Sequence, residues 1–268
     1  MSIDGIGSNY VNRSATQSVN STQESLASGQ RINGAADDAA GLQIANRLTS
    51  QIDGNGQAIA NSTAGISVTQ IAQAGLSSIN DNLSSLRDIA VQAGNGAYSD
   101  SDRAALQQQA NGLIESIRST VADTSFAGQE LLTEDGSLGF QVGEDSDSLF
   151  NVATNDLNGA LTASGLFAFD VNDPTNLSTA LNAVDESLAN VATLQADYGA
   201  TQNAFSSRVD SLLAAQVNES AGRSRIADAD IASTVSSKVV NSILEQSSTA
   251  IQAQANADAG RSLSLLSS

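Results

Sequence analysis

The side chains best suited to chemistry in this chain are carboxylates. Glu144, Asp145 and Asp147 crowd the stretch GEDSDSLF, and Asp37 and Asp38 stand side by side. The first group could hold Ca²⁺; the second could share acid and base roles. An EF-hand loop needs D-x-[DN]-x-[DN]-G with a closing glutamate. GEDSDSLF lacks that spacing, so it reads as a solvated loop with at most opportunistic cation binding. Adjacent aspartates ahead of an Ala-rich amphipathic stretch read as helix caps, because the free N–H groups of a first turn want carboxylates.

The chain has no Cys and no His. That removes thiolate and imidazole ligands, disulfides, Cys nucleophiles and His-based triads. We therefore expect no metal, no cofactor and no enzyme. Asn61 and Asn218 lie in N-x-S/T sequons, which read as chance matches. Ser146, Ser148 and Thr154 lie in a stretch expected to be exposed, where nothing marks a modification site.

Net charge is −18, from 29 acidic and 11 basic residues. Such a balance argues against nucleic-acid or anionic-membrane partners. No apolar run is long enough for a transmembrane helix. The opening MSIDGIGSNY lacks the basic and apolar regions of a secretory signal, so by itself the chain would be read as cytoplasmic. One Pro in 268 residues permits long uninterrupted helices.

The periodicities predict a mostly α fold, a long antiparallel coiled-coil-like helical bundle with a small β-hairpin region. Residues 42–94 read as one helix about 80 Å long. Leu76, Ile79, Leu83, Leu86 and Ala90 step by three and four, and Leu48, Ile52, Ile59 and Ile66 continue that face upstream. Gly54, Gly56, Gly65 and Gly75 each cost about 1 kcal/mol against Ala, so this helix needs partners. A second helix, 102–123, is capped by Asp100 or Ser101 and carries the stripe Leu106, Ala110, Leu113, Ile117. A third, about 178–227, has a core seam of Val184, Val191, Tyr198, Phe205 and Leu212 at seven-residue spacing. Leu181, Leu188 and Val209 form its companion row, with Gln195 and Gln202 as polar members. Leu138, Phe140 and Val142 alternate as a strand, which the Asp135-Gly136 turn signal would join to 129–133. Leu149 to Val152 can add a strand, and 153–177 reads as irregular with a turn at Asp173-Pro174.

Two motifs sit at opposite ends. LASGQRINGAADDAAGLQIANRL covers Leu26–Leu48, and GRSRIADADI covers Gly222–Ile231. Both resemble the N- and C-terminal signatures of bacterial flagellin, in the same order, and DYGATQNAF at 197–205 resembles a third motif. The resemblance covers roughly residues 24–155 and 178–268. It implies an inner core domain of paired terminal helices, 1–39 and 229–268, that forms a filament tube. It implies an outer core domain, 40–228, with the β-hairpin region near 129–155. The gap at 153–177 is too short for a variable outer domain.

By the same resemblance, the function is that of a structural subunit self-assembling into the bacterial flagellar filament for swimming. The chain would be exported through the flagellar type III channel and act outside the cell. Its partners would be copies of itself, an export chaperone, and the hook-associated junction and cap proteins. The residues assigned to self-assembly are Arg31, Ile32, Asn33, Asp37, Asp38, Arg223, Arg225, Ile226 and Asp228. The resemblance also implies a segment sensed by a Toll-like receptor, with Leu86, Arg87, Ile89 and Val91 in the contact region. Ser85 and Gln109 replace the arginine and glutamate of strongly sensed members. Two rivals remain at this level, a hook–filament junction protein and a non-filamentous secreted helical binding protein.

The terminal segments have their own physical reading. Ile3, Ile6 and Tyr10 precede a very polar stretch, whereas Ile231, Val235, Val239, Ile243, Ile251, Leu263, Leu265 and Leu266 mark the other end. Two thin helices can pair but leave apolar surface, which copies of the chain can cover.

Overall fold

The computed structural model describes residues 3–145 and 147–266. Of residues 3–12, 259 and 263–266 it describes the backbone only. Ile3, Ile6, Tyr10, Leu263, Leu265 and Leu266 therefore lie outside the described side chains, and Ser146 lies outside the described residues altogether.

Among the described residues, six α-helices and four short strands follow one another. They are α1 (Ile3–Ser28), α2 (Ala35–Ala93), α3 (Asp100–Asp123), β1 (Ser125–Phe126), β2 (Gln129–Glu130), β3 (Gly136–Gln141), β4 (Leu149–Thr154), α4 (Leu157–Ala163), α5 (Leu177–Ala227) and α6 (Ile231–Leu266). The chain divides into two compact units, Asp53–Gln216 and the remainder from both ends.

The Asp53–Gln216 unit has one continuous core. Leu76, Ile79, Leu83, Leu86 and Ala90 of α2 are fully buried, as are Val184 and Val191 of α5. Tyr198, Phe205 and Leu212 are buried too, so the seven-residue seam of α5 is core along its length. Leu181, Leu188, Val209, Gln195 and Gln202 flank it at half exposure. Phe205 packs edge-on against Phe140 and Phe150, with centroids 5.8 and 4.6 Å away. Such pairs add about 0.5–1.5 kcal/mol beyond area burial.

Nearer its start, α2 departs from the expected face. Leu48, Ile52, Ile59 and Ile66 are half-buried. The covered positions are mostly small or polar instead, namely Asn55, Ala58, Ser62, Thr69 and Ala72, alongside Val68. Close approach is the reason. A Cβ on Gly65 would overlap the ring of Phe205, and one on Gly75 would overlap Thr124. Gly65 and Gly75, which weaken the helix locally, thus admit the Phe205 ring and the Thr124 side chain that pack on it.

Helix α3 starts two residues earlier than expected. Ser99 caps it, accepting from Asp102 N, and Asp102 returns the bond to Ser99 N in a capping box. Those hydrogen bonds from Ser99 hold the Asp102 carboxyl below the usual carboxylate range. Its buried stripe is Leu106, Ala110, Ile114, Ile117 and Val121, whereas Leu113 is only half-buried. The stripe advances by three or four at each step, and Ile114, not Leu113, falls on it.

The β region also corrects the expected hairpin. β2 pairs with β1, not with β3. The turn between them is Ala127-Gly128, with φ of 50° and 82°. Positive φ at both central residues suits a two-residue hairpin turn. Asp135 instead accepts a hydrogen bond from Asp156 N at 2.9 Å, and Gly136 begins β3 opposite Thr154. β3 and β4 pair antiparallel with Leu138 facing Val152 and Phe140 facing Phe150. The stretch expected to be irregular contains α4, capped by Asp156, and buries Leu157, Leu161, Leu166, Phe169 and Val171. The buried Tyr198 hydroxyl lies 3.0 Å from the Ala153 carbonyl and 3.3 Å from that of Leu131, tying α5 to this region. Burial raises its pKa.

Candidate assembly surface

In the unit built from both chain ends, the two terminal motifs meet. Gly29, at φ 69°, ends α1 in the left-handed conformation that glycine adopts without penalty. The chain then runs beside the end of α5. Gln30 bridges antiparallel to Asp228, Arg31 N donates to the Ala227 carbonyl at 2.6 Å, and Ala229 N donates to the Gly29 carbonyl at 2.9 Å. The Arg31 guanidinium adds a bond to the Ile226 carbonyl. Ile32 is buried in this corner, whose backbone bonds would otherwise be left open.

The two aspartates divide the capping between them. Asp38 has extended backbone (φ −162°, ψ 95°) and accepts from Gly41 N at 2.8 Å, so it is the helix cap of α2. Asp37 faces backwards and accepts from Asn33 N and Gly34 N at 2.9 and 3.0 Å. It fixes the corner, not the helix. The Asn33 side chain donates to the Gln30 carbonyl. Ser224 donates to Asp228 at 2.6 Å, orienting the partner motif.

Not every motif residue joins this clasp. Arg223 reaches Thr49 on α2, at 3.5 Å, and Arg225 bonds the Ala221 carbonyl of its own helix. Ala227 and Ala229 contribute backbone groups alone, so no side-chain pattern could have singled them out. The motifs therefore spend their chemistry mainly on each other within one chain.

Beyond the clasp, α1 and α6 lie along one another. Ala15, Val19, Thr22 and Leu26 of α1 are half-buried at steps of three and four. The half-buried row of α6 is polar, comprising Thr234, Lys238, Asn241, Glu245, Ser248 and Gln252. Thr16 donates to Glu245 at 3.0 Å and Asn241 to Thr22 at 3.4 Å, which places that row against α1. Its large apolar residues are exposed. They are Ile231, Val235, Val239, Val240, Ile243, Leu244 and Ile251, with Ile251 exposed by 68% and Ile243 by 57%. An amphipathic helix normally buries its apolar stripe against its neighbour; α6 leaves these side chains in solvent. An open groove of about 520 Å³ beside it is lined by Ser14, Ser18, Asn241, Leu244 and Ile251.

The region expected to contact a receptor is split. Leu86 and Ile89 are buried in the core of the Asp53–Gln216 unit. Val91 is exposed by 57%, and Arg87 pairs with Asp185 at 2.8 Å on the surface. Glu144, Asp145 and Asp147 form no potential metal cluster among the described residues. No helix among them is long and apolar enough to cross a membrane.

Comparison with known proteins yields two family matches. Residues 8–136 match the bacterial flagellin N-terminal helical region, and residues 181–266 match the bacterial flagellin C-terminal helical region. A flagellin from Halalkalibacterium halodurans is 36% identical over 244 residues, 91% of this chain and 90% of that one. The flagellar filament 33 kDa core protein of Treponema phagedenis is 35% identical over 268 residues, 93% of this chain and 92% of that one. Among solved structures, Bacillus cereus flagellin aligns with a TM-score of 0.53 at 21% identity, over 57% of this chain and 88% of that one. A putative flagellar hook-associated protein from Vibrio parahaemolyticus aligns at 0.63 and 16% identity, over 72% of this chain and all of that one. These two likenesses concern the fold alone.

Proposed function

Because the chain belongs to the bacterial flagellin family, we propose that it polymerises through the outward apolar row of α6. It is a structural subunit of the flagellar filament and works outside the cell. In our reading 1–39 and 229–268 are the tube-forming segments and 40–228 the surrounding layer. Copies meet through heterologous contacts that do not close, which generates an open helical polymer. The clasp of Arg31, Ile32, Asn33, Asp37, Asp38, Ile226 and Asp228 then acts indirectly, by fixing the direction in which α1 and α6 leave the corner. The work is mechanical, with no catalytic step. We further propose an export chaperone, junction proteins and a cap as partners, on family grounds, with Arg87 and Val91 as the surface residues of any receptor contact.

The observation that carries the proposal is that α6 sets a polar row against α1 and leaves its large apolar side chains exposed. Seven large apolar side chains left in water invite burial by another protein surface. The test is Val239→Asp with Ile243→Asp. Both side chains are exposed in the single chain, so the variant keeps its helical content by circular dichroism. It should fail to form sedimentable polymer. Normal filaments from this variant would refute the assignment.

A further inference from the structure

Five Asn-Gly pairs occur in this chain, at 33–34, 55–56, 95–96, 111–112 and 158–159. Asn-Gly is the dipeptide most open to attack on its own side chain, because glycine puts no Cβ in the way. Whether attack happens depends on the glycine N–H being free and on the backbone being able to bend around it. The five sites differ sharply in this respect.

Four are held. Gly56 and Gly112 lie inside α2 and α3, where helical geometry keeps the amide nitrogen away from the preceding side chain. Asn55 is buried, and the Asn111 side chain accepts from Gln107 at 2.9 Å. Gly159, in α4, donates its N–H to Asp156 at 2.7 Å. Gly34 donates its N–H to Asp37 at 3.0 Å in the clasp.

Asn95-Gly96 is different. It lies in the exposed turn between α2 and α3. The Asn95 side-chain oxygen accepts from Ala97 N at 3.0 Å, which curls the carboxamide over the Gly96 peptide and draws electron density from Cγ. Gly96 N–H has no partner among the described residues, and no atom beyond residues 95–97 lies within 4 Å of where a Gly96 Cβ would be. The turn therefore has a polarised electrophile, a free nucleophile and an exposed backbone.

We propose that Asn95 is a self-modification site, converted by its own backbone to aspartate and isoaspartate. The Gly96 nitrogen gives its proton to solvent base and bonds to Asn95 Cγ. The bond from Cγ to the side-chain nitrogen breaks, and ammonia leaves. Water then opens the resulting five-membered succinimide at either carbonyl. Nothing is oxidised or reduced, and water is the only co-reactant. The product places a new carboxylate beside Tyr98, whose N–H donates to the Asn95 carbonyl and whose hydroxyl accepts from Gln92 at 2.7 Å. In isoaspartate the main chain lengthens by one carbon at this turn, so the bond between Tyr98 N and residue 95 is disturbed.

The test incubates the full-length monomer in mildly alkaline buffer, in parallel with the same chain in denaturant. Peptide mapping with isoaspartyl methyltransferase labelling reads each of the five sites. In denaturant all five should react. In the folded chain Asn95 should react at least as fast as in denaturant, while the other four slow by about tenfold or more, because each needs local opening first. Gly96→Ala, which meets no neighbouring atom, should stop labelling at Asn95 and leave the other sites unchanged. The proposal is overturned if Asn95 is protected by folding, if Asn33 outpaces it, or if Gly96→Ala does not alter its rate.

Discussion

The two compact units treat apolar side chains and charge in opposite ways. Residues 53–216 bury most of their large aliphatic side chains in one core with Phe205 and Tyr198, and hold 20 of the acidic residues against 4 basic ones, a net charge of −16. The unit from the two ends holds 9 acidic residues against 7 basic ones, a net −2, and leaves the apolar row of α6 in solvent. The same three-and-four spacing of apolar residues thus means core in one unit and exposed surface in the other. What decides is the packing. α2, α3 and α5 share a core with each other and the β region, whereas α6 lies chiefly along the polar α1. Charge follows the same division, with the excess negative charge concentrated in residues 53–216.

The largest effect on this contrast should come from Phe205→Ala. It removes the ring that fills the space over Gly65 and meets Phe140 and Phe150. The loss should be about 3–5 kcal/mol, read as a lowered denaturant midpoint of the monomer. Unlike Val239→Asp with Ile243→Asp, it leaves the apolar row of α6 untouched, so polymer should still form at low temperature. If Phe205→Ala leaves the midpoint unchanged, the seam of α5 is not the core described here.

A smaller effect is expected from salt. On the proposed assembly through α6, the −16 units of different copies repel, and that repulsion is screened over about 30 Å at 0.01 M salt but about 10 Å at 0.1 M. The critical concentration for polymerisation, measured by sedimentation, should fall as salt rises across that range. A rise would mean that attractive charge pairs hold the copies together, against the division of charge drawn above.

The smallest change is a surface one. Ser85 is exposed and bonds the Asp81 carbonyl at 3.0 Å, and Gln109 is exposed on α3. Neither offers the forked, charged donor that makes arginine a frequent binding anchor. Ser85→Arg with Gln109→Glu should raise Toll-like receptor signalling in reporter cells. Equal signalling by the unmodified monomer would show that these two positions do not limit recognition.

Much of the Asp53–Gln216 unit was legible in the sequence, because a seam repeated every seven residues leaves a periodic trace from Val184 to Leu212. The upstream half of α2 was not, since its buried face is made mainly of Ala58, Ser62, Gly65 and Thr69 beside Val68, and small or polar residues leave no apolar stripe to read. The hairpin was misplaced because Asp135-Gly136 is the stronger turn dipeptide, while Ala127 takes positive φ only because β1 and β2 flank it. At the assembly surface, the apolar residues of α6 were visible, but their direction was not. Periodicity locates a stripe; only the neighbouring helix tells which side it faces. The clasp was half legible. Arg31, Asp37 and Asp38 stood out, whereas the carbonyls of Gly29, Ile226 and Ala227 carry no signature.

That clasp also has a consequence in time. Arg31 and the Ile226 carbonyl it grips are 195 positions apart along the chain. A subunit leaving the cell through a narrow channel arrives end first, so one half of the clasp waits for nearly the whole chain before it meets the other. Closing so long a loop is among the slower contacts a folding chain can make. The corner at Gly29–Asp38 therefore closes only once both ends of the chain are present together.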